Sequence, residues 1–589
     1  MNRITNRITN TIKFLIIYIT FFSCSAFVHA STIADTEGLV YQETKTTAEL
    51  MQMARMSRIE SKSYRSPAQQ SLNNKNDRRN WNNDPQKVFD IWFDKQNKNT
   101  GHHNEAKKIV RSSPAQTVGL NFTAATLGNV LDPLVIPPNL NGSVGSTQYV
   151  LMTYGIIRSF DKTTGLPDGI LNLDASTFFG VSADDVRIDY DRFSQRWFMS
   201  CEGINATTGN VSTIVLAVSQ GAVITDCSSW TIYTFSNAKM IPQIRPLGSG
   251  DLDYQQLAID QNAVYISADT FDQNGNFHGT STLVIQKSSL NGGPVVSKVF
   301  FGILPGPSQN LASGFTPPAD NFDTNPTYGY IVNATNNSYL SGNIYKTVFL
   351  YRISNPGSSS PSLGSQVTIQ VPPYTDSANA PYKGNLFGAS AFLQTGGCNF
   401  VAPHVRNRQL YVCHNIQVNN GGVATRQADR VGIRWYQFDL TGDPTGNGGG
   451  TETVTTVPAL VQWGTLYDPT ASTTPNFYFN PSIMTNKNGD LAIGCTISGA
   501  HTYPNVVYAG RQQADAPNTL RTPVAITNSS NPYNFGPFEN PSNGNIGQRW
   551  GDLSSMSSEP VNDLDIWATQ EFAAVYNGWG VQVTQLQSV

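Results

Sequence analysis

A unit of four strand-like runs that repeats about every sixty to seventy residues constrains this chain more than any other feature. The clearest unit consists of the runs 185–191, 196–201, 212–219 and 230–235. The next unit, which starts at Asp253, keeps the order of an Asp-led first run and an aromatic second run. Short runs rich in β-branched and aromatic residues, separated by turn residues, are typical of strands. Each unit therefore predicts a four-stranded meander.

Seven such units follow one another, and they begin near residues 142, 185, 253, 328, 398, 480 and 552. A single meander cannot bury both of its faces, but radial repetition lets every sheet pack against its neighbours. We therefore expect an all-β fold, a seven-bladed β-propeller with a six-bladed one as the alternative, preceded by an irregular or partly helical N-terminal segment.

The ends of the chain must meet if the ring is to close. The last unit reaches only three strands before the sequence ends. We expect residues 118–124 to supply its fourth strand by pairing with the strand that follows the 578–580 turn, because an open ring would expose two sheet edges.

Composition narrows the class of function. Charged residues make up only 13% of the chain, and 38 Lys and Arg against 41 Asp and Glu give a net charge of −3. A nucleic-acid-binding protein needs a basic surface for the phosphate backbone. Nucleic acid is therefore not an expected partner.

Residues 1–30 have the pattern of a signal peptide. Basic residues precede an apolar run at 14–22, and small residues up to Ala30 form a cleavage site. We expect a secreted, periplasmic or cell-surface protein, with lipid attachment at Cys24 as the alternative. No later stretch reaches the ~18–20 apolar residues of a transmembrane helix.

Residues 31–117 are polar and lack the strand pattern, which predicts a linker or pro-region before a propeller at 118–589. Helical patterns interrupt this region at 48–59 and 85–93. Their Met and aromatic residues leave a partner-docking segment as an alternative.

Removal of the leader leaves five cysteines, an odd number, in an oxidising compartment. Cys398 and Cys413 flank a predicted hairpin, and Cys201 and Cys227 lie within one unit, so we expect these two disulfides. Burial of Cys201 and Cys227 as small apolar residues is the alternative for the second pair. Cys495 would stay unpaired.

Several motifs recur in a known group of proteins. They occupy residues 137–145, 160–165, 190–197, 503–511 and 549–556. In this order they resemble motifs of large secreted bacterial β-propeller proteins, mostly uncharacterised and loosely similar to sialidase-like and kelch-like propellers. The resemblance covers roughly residues 118–588 and implies the propeller fold without an established reaction. Asn139 and Ser558 stand where that group has Asp, which weakens a metal role there.

Polar residues stand at matching places in four units. Asp185, Asn480 and Asp552 each begin an innermost strand, and Asp253 begins another one residue out of phase. We expect these four side chains to form a ring at one mouth of the central channel. The ring would satisfy backbone N–H groups between blades or, alternatively, bind Ca²⁺; no other cofactor is expected.

The sequence indicates a non-enzymatic binding scaffold for a glycan or protein ligand at one propeller face. The alternative is a sialidase-like hydrolase that processes glycans, which needs arginines for a carboxylate, a tyrosine nucleophile and an acid/base carboxyl. Arg187, Arg245, Arg511, Arg549, Tyr254 and Asp552 could supply these groups. We find no S-x-D-x-G-x-x-W turn of the kind typical of sialidases.

Overall fold

The computed structural model describes residues 33–35, 38–40 and most of the chain from residue 113 onward. Undescribed segments after residue 113 are 131–135, 206–209, 228, 241–249, 273–276, 304–315, 335–343, 387–390, 426, 444–455, 535–537 and 540–545. The predicted signal peptide and the helical patterns at 48–59 and 85–93 lie outside the described residues. Among the described residues, no helix is both long and apolar enough to span a membrane.

The described chain from residue 113 onward forms a seven-bladed β-propeller, as the repeat predicts. Blade 1 contains Asn141–Val144, Gln148–Thr153, Ile156–Asp161 and Pro167–Leu173. Blade 2 contains Ser182–Asp191, Arg196–Ile204, Val211–Ser219 and Trp230–Ser236. Blade 3 contains Asp251–Ile259, Ala263–Phe271, Phe277–Gln286 and Ser297–Ile303. Within each of these blades, neighbouring strands are antiparallel.

Blades 4 to 7 follow the same plan with local irregularities. Blade 4 contains Tyr328–Ala334, Ile344–Ser354, Ser362–Leu363 and Val367–Thr375, and its innermost segment leads into Asp320–Asn321, which pairs parallel with Val401–Arg406 of blade 5. Blade 5 contains Val401–Arg406, Gln409–Val418, Arg430–Asp439 and Ala459–Leu466. Blade 6 contains Phe477–Thr485, Leu491–Gly499, Thr502–Arg511 and Val524–Ala525. Blade 7 contains Ser555–Ser558, Ile566–Val575, Gly578–Ser588 and Gln116–Thr126.

Seven clusters of buried apolar side chains hold the ring together, one for each pair of neighbouring blades. The cluster between blades 7 and 1 includes Tyr149 and Trp567, whose rings stack at 5.4 Å between centroids. Stacked aromatic pairs add about 0.5–1.5 kcal/mol to the energy of burial. Since each blade buries its faces against two others, no blade has a complete core of its own.

Gln116–Thr126 is the latch strand that closes the ring. It pairs antiparallel with Gly578–Ser588, so the predicted closure is confirmed. The latch also reaches blade 6, because Gln116 Nε2 donates to the Leu491 carbonyl at 3.3 Å and Tyr508 donates to the Gln116 carbonyl. The first described strand of the propeller domain thus joins its last two blades.

A small extra sheet covers part of one face. Ala391–Leu393 pairs parallel with Ile546–Gln548, which pairs antiparallel with Phe538–Glu539. We call this sheet and its flanking residues 376–400 and 526–554 the cap. Buried Trp550 and other cap aromatics join the apolar cluster between blades 7 and 1, so the cap is packed onto the ring. Short helices are Leu127–Asn129, Ala175–Phe179, Asn237–Met240 and Lys287–Ser289.

The two predicted disulfides are wrong. Cys413 has a free thiol on the face of blade 5 that packs on blade 6, whereas Cys398 lies in the cluster between blades 4 and 5. The sheet separates the two sulfur atoms. Cys201 also has a free thiol, buried between blades 1 and 2, so it does not pair with Cys227. Cys495 is unpaired, as expected.

Two truncations test the role of the latch strand. A protein that starts at residue 113 should unfold cooperatively, whereas one that starts at residue 127 should lose several kcal/mol of strand pairing and apolar burial. Thermal unfolding followed by circular dichroism measures the difference. Equal melting temperatures for the two proteins would contradict closure by this strand.

Candidate functional site

Four innermost strands share an irregularity near their first residues. At each place two residues of the inner strand face one residue of the second strand, which is a β-bulge, and the first of the two has a positive φ. These residues are Asp185 (φ 43°), Tyr254 (58°), Ala402 (45°) and Asn480 (52°). Left-handed backbone is uncommon outside glycine and is enriched at functional sites. We call this end of the channel the bulge end.

The bulge explains the phase of the predicted ring. Asp185 and Asn480 occupy equivalent bulge positions, and the equivalent residue of blade 3 is Tyr254 rather than Asp253. Asp253 lies one residue earlier, still paired with Asp269 of the second strand. Asp552 precedes the inner strand of blade 7. The sequence could not reveal the bulge, because its hydrophobic pattern continues across it.

Hydrogen bonds between neighbouring blades connect the bulge end. Asn139, at φ 39° before the first inner strand, donates to Asp185 Oδ1 at 3.0 Å and lies 3.5 Å from the Asp552 amide, which donates to it. Asn480 Nδ2 donates to the Leu553 carbonyl at 3.3 Å. Asn139 therefore links blade 7 to blade 2 across blade 1.

Three carboxylates meet beneath these bonds. One oxygen from each of Asp185, Glu202 and Asp253 lies within 4.8 Å of the other two, and all three residues are buried. Burial raises the pKa of Glu202 well above its usual value, and the charges of Asp185 and Asp253 raise it further. Burial likewise raises the pKa of Asp185, against the field of Arg187. We call these three residues the acidic floor.

Arg187 stands next to the acidic floor without bonding to it. Its side chain is buried, with a relative exposure of 3%, and Nη1 donates to the Val186 carbonyl at 3.0 Å. Its Nε and Nη2 atoms have no hydrogen-bond partner in the described structure. The guanidinium nevertheless interacts electrostatically with Asp185 and Glu202. Two donors of a buried guanidinium therefore lack partners beside a group of acidic side chains.

A half-buried rim surrounds the floor. Arg549 of the cap pairs with Asp552 at 2.8 Å and donates to Gln394 in the other segment of the cap at 3.3 Å. The Asp552 carboxylate thus pairs within its own segment rather than between blades. Burial and the charge of Asp552 raise the pKa of Tyr254, whereas the charge of Arg549 lowers it. On the other side of the rim, Tyr154 donates to Asp184 at 3.2 Å.

Side-chain contacts bridge the opposite end of the channel, which we call the closed end. The Phe322 ring lies between the guanidinium groups of Arg192 and Arg406, each 4.8 Å from the ring centroid. Both arginines also bond Asp563 Oδ1, at 2.7 and 2.8 Å. These residues come from blades 4, 2, 5 and 7, which are not all neighbours, so the contacts cross the channel axis.

The structure brings together part of the hydrolase set. Arg187, Arg549, Tyr254 and Asp552 meet at the bulge end, as the electrostatic interactions among them indicate. Arg511 does not join them: it lies 6.0 Å from the Trp435 ring and donates to the Asp515 carbonyl in blade 6. Arg245 is outside the described residues.

Glu202 is the site residue that sequence reasoning missed. It lies near the end of the second strand of blade 2, directly after Cys201, in an otherwise apolar and small-residue run. A carboxylate in such a run is a signal, because charged residues are almost never fully buried unless something compensates them. Its backbone neighbours gave no indication that blade 3 would bring Asp253 next to it.

No protein-family model matches the chain, and no curated protein matches it. The WD40 domain of SCAP from fission yeast is similar, with 10% identity and a TM-score of 0.29, over 76% of this chain and 94% of that one. An α-L-arabinanase from Penicillium chrysogenum complexed with arabinobiose has 10% identity and a TM-score of 0.30, over 68% and 92%.

The sialidase of Trypanosoma rangeli in complex with the inhibitor DANA has 10% identity and a TM-score of 0.31, over 68% of this chain and 54% of that one. All three are propeller proteins. Similarities this weak identify no reaction. The chain is a seven-bladed β-propeller on the evidence of its own sheets and interfaces.

Replacement of Asn139 tests the bonds between blades. Asn139→Ala removes both hydrogen bonds of the side-chain amide and places a residue poorly suited to positive φ at this position. The free energy of unfolding should therefore fall by about 1–3 kcal/mol. Asn139→Gly, which suits the backbone but lacks the amide, should recover only part of this. Denaturant unfolding measures both variants. An unchanged midpoint in Asn139→Ala would show that these bonds contribute nothing.

Within the channel, Asp189 and Asp320 share a hydrogen bond between carboxyl groups. Burial raises the pKa of Asp189 to about 6. Burial and the charge of Asp189 raise the pKa of Asp320 well above its usual value. The folded protein thus holds protons that the unfolded chain would release, so this pair favours folding at acidic pH and opposes it as pH rises through about 6.

Asp320→Asn should therefore flatten the pH dependence of stability. The amide can keep the bond to Asp189 without a second charge, so the variant should gain stability relative to wild type as pH rises through the range around 6. Exposed Asp226→Asn is the matched control. Melting curves across this range give the comparison. A difference between Asp320→Asn and wild type that does not change with pH would contradict the shared proton.

Proposed function

We propose that this protein is an exported β-propeller that binds a glycan at the bulge end of its channel without catalysing a reaction. One observation carries the proposal: half-buried tyrosines, carboxylates and a guanidinium converge at the bulge end, while at the other end Phe322 and two arginines make contacts that cross the channel axis. A protein ligand at the same face is the other partner that such a scaffold could take. Export rests on the leader pattern of residues 1–30.

The rim has the chemistry that saccharides require. The rings of Tyr154 and Tyr254 offer apolar faces with a polar tip, and Asp552 and Asp184 offer acceptors for hydroxyl groups. Arg549 is held by Asp552 and by the cap, so its position is fixed before a ligand arrives. Preorganised side chains lower the entropic cost of binding.

Hydrolysis of a sialidase type is the second candidate function, because Tyr254, Arg187, Arg549 and Asp552 lie at one site. A tyrosine nucleophile must lose its proton readily. Burial and the charges of Asp552 and Asp253 instead raise the pKa of Tyr254 well above its usual value. This environment favours binding over nucleophilic catalysis.

Calcium binding at the acidic floor is an untested prediction that we place after glycan binding. The spacing of the three oxygens in the acidic floor fits metal–oxygen distances of about 2.3–2.6 Å. Arg187 already supplies positive charge there, and we expect no resident metal. A melting temperature that rises with millimolar calcium and returns with a chelator would reverse that expectation.

A glycan array followed by calorimetric titration tests the proposed function. Arg549→Gln should weaken binding of a retained glycan at least about tenfold, or about 1.4 kcal/mol. Arg521→Gln is the matched control, because Arg521 also pairs with an aspartate at 2.8 Å but lies at the outer part of blade 6. Failure of every glycan to bind, or equal loss in both variants, would contradict a glycan site here.

A panel of fluorogenic glycosides decides between binding and hydrolysis. The proposal predicts no release of the fluorophore above the level of heat-denatured protein. Turnover that disappears in Tyr254→Phe would instead establish the hydrolase.

A further inference from the structure

No hydrogen bond joins Arg187 to the carboxylates of the acidic floor. Arg187 is buried, yet its Nε and Nη2 atoms have no partner in the described structure. Asp185 and Glu202 lie close enough to act on its charge, but neither forms an ion pair with it. A buried donor without an acceptor costs about 1–3 kcal/mol, and more when it is charged. The arrangement therefore calls for a group between the two sides.

The carboxylates argue against an acidic group in this position. Two like charges about 5 Å apart repel by roughly 3 kcal/mol at an effective dielectric constant of about 20. A sialic acid or uronate carboxylate would lie among the three acidic side chains, where burial and repulsion between carboxylates already raise the pKa values of Asp185 and Glu202. A further buried anion would add to this repulsion, beside a single guanidinium.

The guanidinium argues against a cation. A metal ion held by the acidic floor would lie in the repulsive field of Arg187 and would leave its two unbonded N–H groups without an acceptor. An ammonium group has only donors and meets the same objection. The group that fits must both donate and accept hydrogen bonds.

We propose that the acidic floor and Arg187 form a subsite for hydroxyl groups of an uncharged sugar residue, so that the ligand is a neutral glycan. A hydroxyl donates one hydrogen bond and accepts two. Adjacent hydroxyls of a pyranose or furanose can donate to Asp185 and Glu202 while they accept from Arg187 Nε and Nη2. The inference rests on the proposed glycan-binding function and specifies its substrate class.

The subsite lies beneath the rim, so it would engage the sugar residue that enters deepest. Tyr254 occupies the bulge position directly after Asp253, and Gln255 then donates its backbone N–H to Glu202 at 2.9 Å. Gln255 Nε2 also donates to the Asp185 carbonyl at 2.6 Å. One short segment of blade 3 thus positions two floor carboxylates and carries one rim ring.

The test compares neutral oligosaccharides with carboxylated counterparts of the same linkage, for example galacto-oligosaccharides with galacturono-oligosaccharides, on the full mature protein. We expect neutral members to bind at least about tenfold more tightly. Deoxygenation of the hydroxyl pair of the bound residue should remove most of the affinity. Preferential binding of the carboxylated series, with neutral glycans weak, would overturn the subsite while the glycan-binding function stands.

Arg187→Lys separates hydrogen bonding from charge. Lysine keeps the positive charge that offsets the floor but lacks the paired donors of the guanidinium, so binding should fall at least about tenfold while the melting temperature stays near that of wild type. Affinity unchanged in Arg187→Lys would show that Arg187 only balances charge. If this variant does not fold, the deoxygenated sugars on wild-type protein give the decision.

Two further outcomes point elsewhere. Binding that requires millimolar calcium and is lost in Glu202→Gln would identify the floor as a metal site and overturn the hydroxyl subsite. Absence of binding to any saccharide, neutral or acidic, would reject the proposed function itself.

Discussion

Pairing of the latch strand Gln116–Thr126 with Gly578–Ser588 is the interaction on which the rest of the structure depends. A propeller has no central core; its apolar burial lies between blades, and the ring is complete only when blade 7 packs on blade 1. The latch finishes blade 7 and bonds blade 6 through Gln116. Closure also determines the chemistry, because it brings Asp552 and Arg549 from the end of the chain to Asp185 near its start.

The two ends of the channel differ in the contacts that their side chains make. At the closed end, Phe322 between two arginines links blades across the axis, and both arginines bond Asp563. At the bulge end, bonds through Asn139 connect neighbouring blades, but Arg187 keeps two donors unused beside three carboxylates. A buried guanidinium with two unpartnered donors next to three acidic side chains is the physical basis for assigning a ligand to this end.

Sequence reasoning reached the blades and their number because strand and turn patterns are local and repeat. It reached the latch because the last unit lacks a strand. It placed Asp185 and Asn480 at equivalent positions but chose Asp253 over Tyr254, since a bulge changes phase without changing composition. The sequence does not show which residues of different sheets lie close together. Cys398 and Cys413 flank a hairpin but face opposite sides of the sheet. Glu202 lies near Asp253 only because blade 3 packs on blade 2.

Hydrogen–deuterium exchange with and without a bound neutral oligosaccharide tests directly whether closure of the ring assembles a ligand site. Amides of segments 182–187, 251–256 and 549–554 belong to blade 2, blade 3 and the cap, and they surround the proposed site. We expect the amides of these segments to become protected together on binding, while amide exchange in segments 559–565 and 321–323 at the closed end stays the same. Protection confined to the closed end or to outer strands of single blades would contradict a ligand site assembled by closure of the ring.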